Sequence, residues 1–225
     1  MQFFIFVLFF CFFIFLFTLY QLSQDDFIFI RKGISVETIF NTAFSIAIIS
    51  LIAARLLYIF SYPRPVFFTF LGSFLFPYFP GLSIIGCVFG GAIFLSIYSY
   101  YKKFPIGRML DFFSVSLLSS LPFGFLFVFL LNLGNKFLLT SLVFYILFLI
   151  FTIFFLLRLS TKGKIKDGGI GLLFLIIFSI FTLVINIFIA NLHFVYSLEN
   201  IIIFPGLILS LALFIYKQLL GKRSY

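Results

Sequence analysis

Long apolar runs alternate with short polar connections along the whole chain. Seven of these runs are long enough to be membrane helices, because about 20 apolar residues cross a hydrocarbon core of roughly 30 Å. They cover approximately residues 2–20, 37–61, 82–101, 109–132, 137–157, 169–191 and 200–219. Lipid cannot satisfy exposed backbone groups, and the runs lack the alternation of a membrane β-strand. The pattern predicts an all-α, polytopic integral membrane protein that forms a single domain, residues 1–225.

One further apolar stretch, residues 65–79, is too short for a comfortable crossing. It is bracketed by prolines, which interrupt helices: Pro63, Pro65, Pro77 and Pro80. We expect this stretch to be an interfacial or re-entrant segment. The first run resembles a signal peptide in its hydrophobicity, but it lacks a basic start and a small-residue cleavage site. It is therefore expected to remain as the first helix.

The composition indicates that most of the chain is surrounded by lipid, and it argues against several kinds of binding site. Hydrophobic residues make up 64% of the chain, charged residues only 9%, and the mean hydropathy is +1.31. The net charge of +9 comes from short basic clusters between the runs, without a basic face or arm, so nucleic-acid binding is not expected. Cys11 and Cys87 lie inside apolar runs, which argues against a disulfide framework. No metal site or cofactor is expected either.

The distribution of lysine and arginine predicts the orientation of the helices. Connections rich in these residues stay in the cytoplasm. Alternate connections and the C-terminus hold 12 of the 15 basic residues: Arg31, Lys32, Lys102, Lys103, Arg108, Arg158, Lys162, Lys164, Lys166, Lys217, Lys222 and Arg223. The opposite connections hold only Arg64 and Lys136. This asymmetry predicts an outer N-terminus and a cytoplasmic C-terminus.

Polar residues near the predicted outer ends of the helices are candidates for binding a lipid headgroup. Arg55 lies inside the second run, where an ionised side chain costs on the order of 3 kcal/mol or more. It either binds a lipid phosphate or extends to the interface as an anchor. Asn186 either contacts a headgroup or forms an interhelical hydrogen bond. Ser83, at the outer start of the third helix, completes the predicted headgroup site.

Small residues recur at four-residue spacing on the third helix. Gly86, Gly90 and Gly91 lie close together in the sequence and allow two helix backbones to approach. We interpret them as helix-packing positions, with a pore or ligand groove as the alternative.

Two ionisable residues receive structural interpretations. Asp111 lies near the start of the fourth helix, where a carboxylate is favoured and can pair with Arg108. His193 lies in an outer loop without a carboxylate or serine at a recognisable spacing, so we expect it to be solvated.

Three stretches together resemble the prolipoprotein diacylglyceryl transferase family. The most specific is GLSIIGCVFGGAIFLSIYSYYKKFPIGRMLDFFSVSLLSSLPFG at 81–124, which is similar to the family's glycine-rich third helix, basic loop and Leu-Asp opening of helix four. A weaker likeness, YSLENIIIFPGLILSLALFIY at 196–216, is similar to the last family helix. The stretch at 34–60 resembles the second helix with its small-x-Arg-Leu-x-Tyr ending, here Ala54, Arg55, Leu56 and Tyr58.

The resemblance implies a seven-helix enzyme of the bacterial cytoplasmic membrane. Such an enzyme moves a diacylglyceryl group from phosphatidylglycerol to the lipobox cysteine thiol of a preprolipoprotein at the outer leaflet. The chain departs from the family at several motifs. Ile85 stands where the family has histidine, LFVFLLN at 126–132 replaces a Gly-Arg-x-Gly-Asn motif, and NLGNK at 132–136 leaves no room for the outer head segment. An expected Arg, Glu, Arg series is replaced by Thr182, Asn186 and Ile189.

Two functions therefore remain open, and no catalytic residue is assigned. The first is a divergent diacylglyceryl transferase whose partners are phospholipid and lipobox peptides. The second is an inactive family member that binds lipid or a protein partner through its outer face. A small transporter is less well supported, because Arg55 is the only ionisable residue deep within a run and no inverted repeat is evident.

The predicted orientation is directly testable with reporter fusions. A reporter fused after Lys136 is expected to be active outside the cytoplasm, and one fused after Lys166 inside it. Paired alkaline phosphatase and green fluorescent protein fusions measure the two locations. The reverse pattern would contradict the charge argument.

Overall fold

The computed structural model describes residues 2–63, 65–68, 81–190 and 198–220. All regular secondary structure in these residues is helical, and seven helices are long and apolar enough to cross a membrane. The predicted all-α membrane fold is thus confirmed. The helices are α1 (Gln2–Ser23), α2 (Phe27–Arg31), α3 (Val36–Ser61), α4 (Ile84–Tyr101), α5 (Ile106–Leu131), α6 (Lys136–Phe151, extended by a π-helical turn to Thr161), α7 (Gly169–Ala190) and α8 (Leu198–Ile215).

The structure adds short elements to this pattern. The short helix α2 lies in the first connection, and Asp26 caps it by accepting hydrogen bonds from Ile28 N and Phe29 N, both at 3.1 Å. Of the predicted interfacial segment, Pro65–Phe68 form a 3₁₀ turn. Residues 69–79 lie outside the described part of the chain, as do Arg64 and His193.

Among the described residues, three apolar clusters hold the helices together, and the smallest consists of Val115, Leu156 and Ile170. One joins α3 to α8 through Leu57, Ile85, Val88, Phe89, Leu118, Tyr145, Phe148, Phe174, Phe178, Leu183 and Ile203. Another joins α1 to α5 through Leu19, Phe29, Ile39, Ala43, Ile46, Leu95, Met109, Phe112 and Phe113. Other phenylalanines point outward: Phe9 and Phe13 on α1 are 70% and 67% exposed. The same residue type therefore serves both the core and the lipid-facing surface, since either environment is apolar.

The glycines of α4 lie against α3. A Cβ atom at Gly86 would be 2.8 Å from the carbonyl oxygen of Ala53 and 2.9 Å from the Cα of Ala54. Gly90 meets Ala53, and a Cβ at Gly91 would be 2.6 Å from Ser50 Oγ. Because these positions of α4 carry no side chain, the first turns of α4 lie directly beside the Arg55 segment of α3.

A charged network joins distant parts of the chain at the end of the bundle that the charge pattern predicts to be cytoplasmic. Arg108 donates from Nη2 and Nε to Asp26 Oδ2, at 2.7 and 2.9 Å, and its Nη1 lies 3.4 Å from Asp167 Oδ1. The predicted pairing of Arg108 with Asp111 is therefore wrong. The first connection and the α6–α7 connection both bring carboxylates to Arg108, and these satisfy it instead.

Asp111 binds backbone N–H groups at this end of the bundle and not Arg108. Its carboxylate, only 2% exposed, accepts hydrogen bonds from Gly168 N at 2.6 Å and Gly171 N at 2.8 Å. The first N–H groups of a helix have no partner within the helix and carry partial positive charge. Asp111 thus caps the start of α7 from a neighbouring helix, which fixes α5 and α7 relative to each other.

The close contact between α3 and α4 predicts that an added methyl group destabilises the protein at Gly86 but not at Gly124. Gly86→Ala is expected to lower the free energy of unfolding by about 1–3 kcal/mol, because the new Cβ meets rigid backbone atoms. Gly124→Ala on α5 is the matched control, since its Cβ would meet only Cys11 Sγ at 3.6 Å. Reversible unfolding in detergent measures both. Equal stability of the two variants would contradict the packing role.

Substitutions of the adjacent residues Asp25 and Asp26 distinguish the loss of the ion pair with Arg108 from the loss of a negative charge alone. Asp26→Asn is expected to destabilise the protein by about 1–3 kcal/mol, because the largely buried Arg108 loses the closer of its two anionic partners. Asp25→Asn removes the same charge from an exposed neighbour and is expected to change stability by less than about 0.5 kcal/mol. The same unfolding measurement compares them, and a similar loss in both would reject the ion pair as the cause.

Candidate functional site

Polar side chains meet at the other end of the bundle, which is the predicted outer end. They come from the end of α3, the segment that enters α4, the end of α7 and the start of α8. We call them the polar cluster: Arg55, Tyr62, Ser83, Asn186, Glu199 and Asn200. The antiparallel run of the helices brings these positions to one level.

Arg55 is buried in the protein, with 7% of its surface exposed. Its Nη1 donates a hydrogen bond to the carbonyl oxygen of Gly81 at 2.9 Å, and its guanidinium carbon lies 4.9 Å from the centre of the Phe67 ring. A carbonyl and an aromatic face both offset part of the cost of burying a cation. The side chain is therefore held inside the fold, unlike a snorkelling anchor that extends to the interface.

Gly81 makes this arrangement sterically possible. Its φ angle is +150°, and a Cβ atom there would overlap the ring of Tyr58. Glycine adopts this backbone conformation without a steric penalty, which lets the chain pass directly over Tyr58. The Gly81 carbonyl is thereby presented to Arg55.

Ser83 connects three helices. Its backbone N–H donates to the carbonyl oxygen of Ala54 on α3 at 3.1 Å, and its Oγ accepts from Gly86 N at 3.5 Å as the N-cap of α4. The same hydroxyl donates to Glu199 Oε1 on α8 at 3.0 Å. Ser83 thus orients the carboxylate of Glu199 relative to the segment that holds Arg55.

Asn186 forms the interhelical contact that the sequence offered as its alternative role. Its Nδ2 donates to Asn200 Oδ1 at 2.8 Å, and Asn200 is only 1% exposed. This hydrogen bond joins α7 to the start of α8, where Glu199 is the preceding residue. Asn186 therefore supports the position of Glu199 through the helix that carries it.

Tyr62 lies at the rim of the cluster, just beyond the end of α3. Partial burial raises the pKa of its hydroxyl, and electrostatic interactions with Glu199 and Tyr58 raise the pKa further. The hydroxyl consequently stays protonated at physiological pH and remains a hydrogen-bond donor. Sequence reasoning did not single out Tyr62 or Asn200, because a tyrosine or an asparagine at a helix end is unremarkable without its spatial neighbours.

Ile85 occupies an apolar environment. It is 4% exposed and belongs to the same core cluster as Leu57 and Phe89. The position at which the resemblance leads one to expect a histidine is therefore filled by a packed aliphatic side chain, which cannot transfer a proton.

The sequence profile described as prolipoprotein diacylglyceryl transferase matches residues 2–132. This match covers more than half of the chain. The chain belongs to the prolipoprotein diacylglyceryl transferase family. No curated protein and no solved structure matched it. Together with the seven apolar helices, membership of this family identifies a multi-pass membrane protein with a function of the diacylglyceryl transferase type.

The family match divides the polar cluster. Arg55 and Ser83 lie within the matched residues, as do the glycines of α4, whereas Asn186 and Glu199 follow on α7 and α8. The part of the chain that matches the diacylglyceryl transferase family therefore contains Arg55 and the Gly81 turn that holds it. The remaining helices supply the carboxylate.

The arrangement combines groups that can act on a phosphate ester. A guanidinium attracts phosphate oxygens, and a carboxylate held by a serine hydroxyl can accept a proton. Among the described residues, no three histidine, cysteine, aspartate or glutamate side chains are grouped as metal ligands.

Proposed function

We propose that this protein transfers the diacylglyceryl group of phosphatidylglycerol to the lipobox cysteine of a preprolipoprotein. The reaction takes place at the outer leaflet of the bacterial cytoplasmic membrane, where the polar cluster holds the lipid headgroup. The observation that carries the proposal is the buried Arg55 guanidinium, fixed by the Gly81 carbonyl beside the Ser83–Glu199 pair. A buried cation in the same cluster as a carboxylate suits a reaction in which a phosphate ester leaves and a thiol loses its proton.

The transfer makes one bond and breaks one. The cysteine sulfur forms a C–S bond with the glycerol carbon of the diacylglyceryl group, and the C–O bond to phosphate breaks. The electron pair leaves with the phosphate as glycerol phosphate. Arg55 stabilises the negative charge that grows on this leaving group, because electrostatic stabilisation is strongest where water is excluded.

Glu199 takes the proton of the thiol in this scheme. Its Oε1 is held by the Ser83 hydroxyl at 3.0 Å, so the orientation of the carboxylate is set before substrate binds. Glu199 begins α8, and the Asn186–Asn200 hydrogen bond secures this part of the helix. The scheme replaces an imidazole base, for which Ile85 offers no substitute, with a carboxylate from the last helix.

Ile85 also supports a second candidate function, in which the protein binds lipid or a protein partner without transferring anything. An aliphatic side chain at the position expected for histidine removes one established means of activating a thiol. The lipid-binding role of Arg55 would be the same in this case. The two candidates differ in whether a thioether product forms.

The test is a transfer assay with purified full-length protein, a lipobox peptide and phosphatidylglycerol vesicles, in which mass spectrometry detects the added diacylglyceryl group. Arg55→Gln is expected to lower kcat/KM by about 10²–10³-fold, as for the loss of a charge-stabilising donor. Glu199→Gln is expected to lower it by about 10²–10⁴-fold while phosphatidylglycerol still binds. Arg158→Gln, an exposed charge on α6, is the control with unchanged activity.

The outcomes separate the two candidates. Absence of product from the wild type, with phosphatidylglycerol binding that depends on Arg55, would reject the transferase and favour the binding protein. Absence of both product and Arg55-dependent binding would reject the polar cluster as a functional site. A known active member of the family serves as the positive control for the assay.

A further inference from the structure

A second concave site lies at the opposite end of α4 from the polar cluster. It has a volume of about 390 Å³ and opens between the end of α2 and the end of α4. We call it the lysine pocket, because three of its lining residues are lysines: it is lined by Lys32, Gly33, Ile34, Thr38, Lys102, Lys103 and Phe104. Neither the proposed transfer reaction nor the charged network around Arg108 uses these residues.

The pocket carries uncompensated positive charge. None of the three lysines lies within 4 Å of a carboxylate oxygen of the described residues, in contrast to Arg108 with Asp26 and Asp167. The C-terminal end of α4 contributes roughly half a negative charge. Three ammonium groups exceed this partial charge, so the pocket is positive and favours an anion.

The backbone of Lys103 gives a second, independent indication. Helices α2, α4 and α6 all end with the same hydrogen-bond pattern, seen in Ile34 N to Phe29 O at 2.9 Å and Phe104 N to Ser99 O at 2.8 Å. This motif places one residue in the left-handed conformation.

Glycine occupies the left-handed position in two of these helices. It is Gly33 after α2, with φ +64°, and Gly163 after α6, with φ +68°. After α4 it is Lys103, with φ +58°, the one residue other than glycine with positive φ in the described part of the chain. A lysine here carries a steric penalty that glycine avoids, and such strained residues concentrate at ligand sites. Lys103 is thus a strained residue that lines the pocket, and its side chain adds an ammonium group there.

We propose that the lysine pocket binds the phosphate group of an anionic phospholipid at the membrane surface. The ammonium groups of Lys32, Lys102 and Lys103 attract the phosphate oxygens, and the apolar side chains of Ile34 and Phe104 line the same pocket beside the glycerol backbone. In the orientation predicted from the basic residues, this lipid belongs to the cytoplasmic leaflet. The site is independent of the transfer reaction, since the polar cluster lies at the other end of α4.

The test uses full-length protein reconstituted in phosphatidylcholine vesicles that contain increasing fractions of tail-labelled fluorescent phosphatidylglycerol. Lys103→Gly is the decisive variant, because it removes the charge and relieves the backbone strain at once, so its thermal stability is expected to be unchanged or higher. Lys102→Gln removes a second charge by a conservative change. Each is expected to weaken binding about fivefold, whereas Lys164→Gln, an exposed lysine after α6, is the matched control without effect.

Two further arms identify the site and the source of the anion. The same titrations in the Arg55→Gln background remove the polar cluster from the measurement, and the losses from Lys103→Gly and Lys102→Gln are expected to persist there. Inorganic phosphate at millimolar concentration is expected not to displace the labelled lipid; displacement would reject the lipid in favour of a free phosphate anion. Binding by Lys103→Gly and Lys102→Gln equal to that of Lys164→Gln would overturn the pocket altogether.

Discussion

The docking of α4 on α3 is the contact on which the polar cluster depends. Gly86 and Gly90 contribute no side chain to this contact, and the N–H of Ser83 donates to the carbonyl of Ala54 across it. This contact brings the segment before α4 over the last turns of α3. Arg55 can then reach the Gly81 carbonyl, and Ser83 can reach Glu199. In lipid, where apolar burial does not drive helices together, such close packing is what sets their relative position.

The two ends of the bundle use charge in different ways. Near Arg108, carboxylates from two connections pair with the guanidinium, and Asp111 caps α7, so charge holds the helices in register. In the polar cluster, Arg55 donates a hydrogen bond to a backbone carbonyl and lies over an aromatic ring. In the lysine pocket the charges lie at the surface between two helix ends. The first arrangement is suited to stability, and the other two are suited to binding anions.

The candidate site could be predicted only in part. Arg55 and Ser83 are conspicuous in the sequence because polar residues are rare in or beside an apolar run. Asn186 was also conspicuous, but its partner Asn200 was not, and this partner decides that it joins two helices. Arg108 and Asp111 lie close together in the sequence, which predicts an ion pair between them. Asp26, 82 residues away, supplies the carboxylate that Arg108 binds in the structure.

The sequence by itself determined the number and extent of the membrane helices, since a hydrocarbon core demands about 20 apolar residues for each crossing. It also carried enough of the family's pattern, over residues 2–132, to identify the family. Only the tertiary structure decided which polar groups meet. Ser83 and Glu199 are 116 residues apart, and their contact depends on the rotation and depth of α4 and α8 within the bundle. Hydropathy is a property of each segment alone, whereas rotation and depth arise from packing between segments.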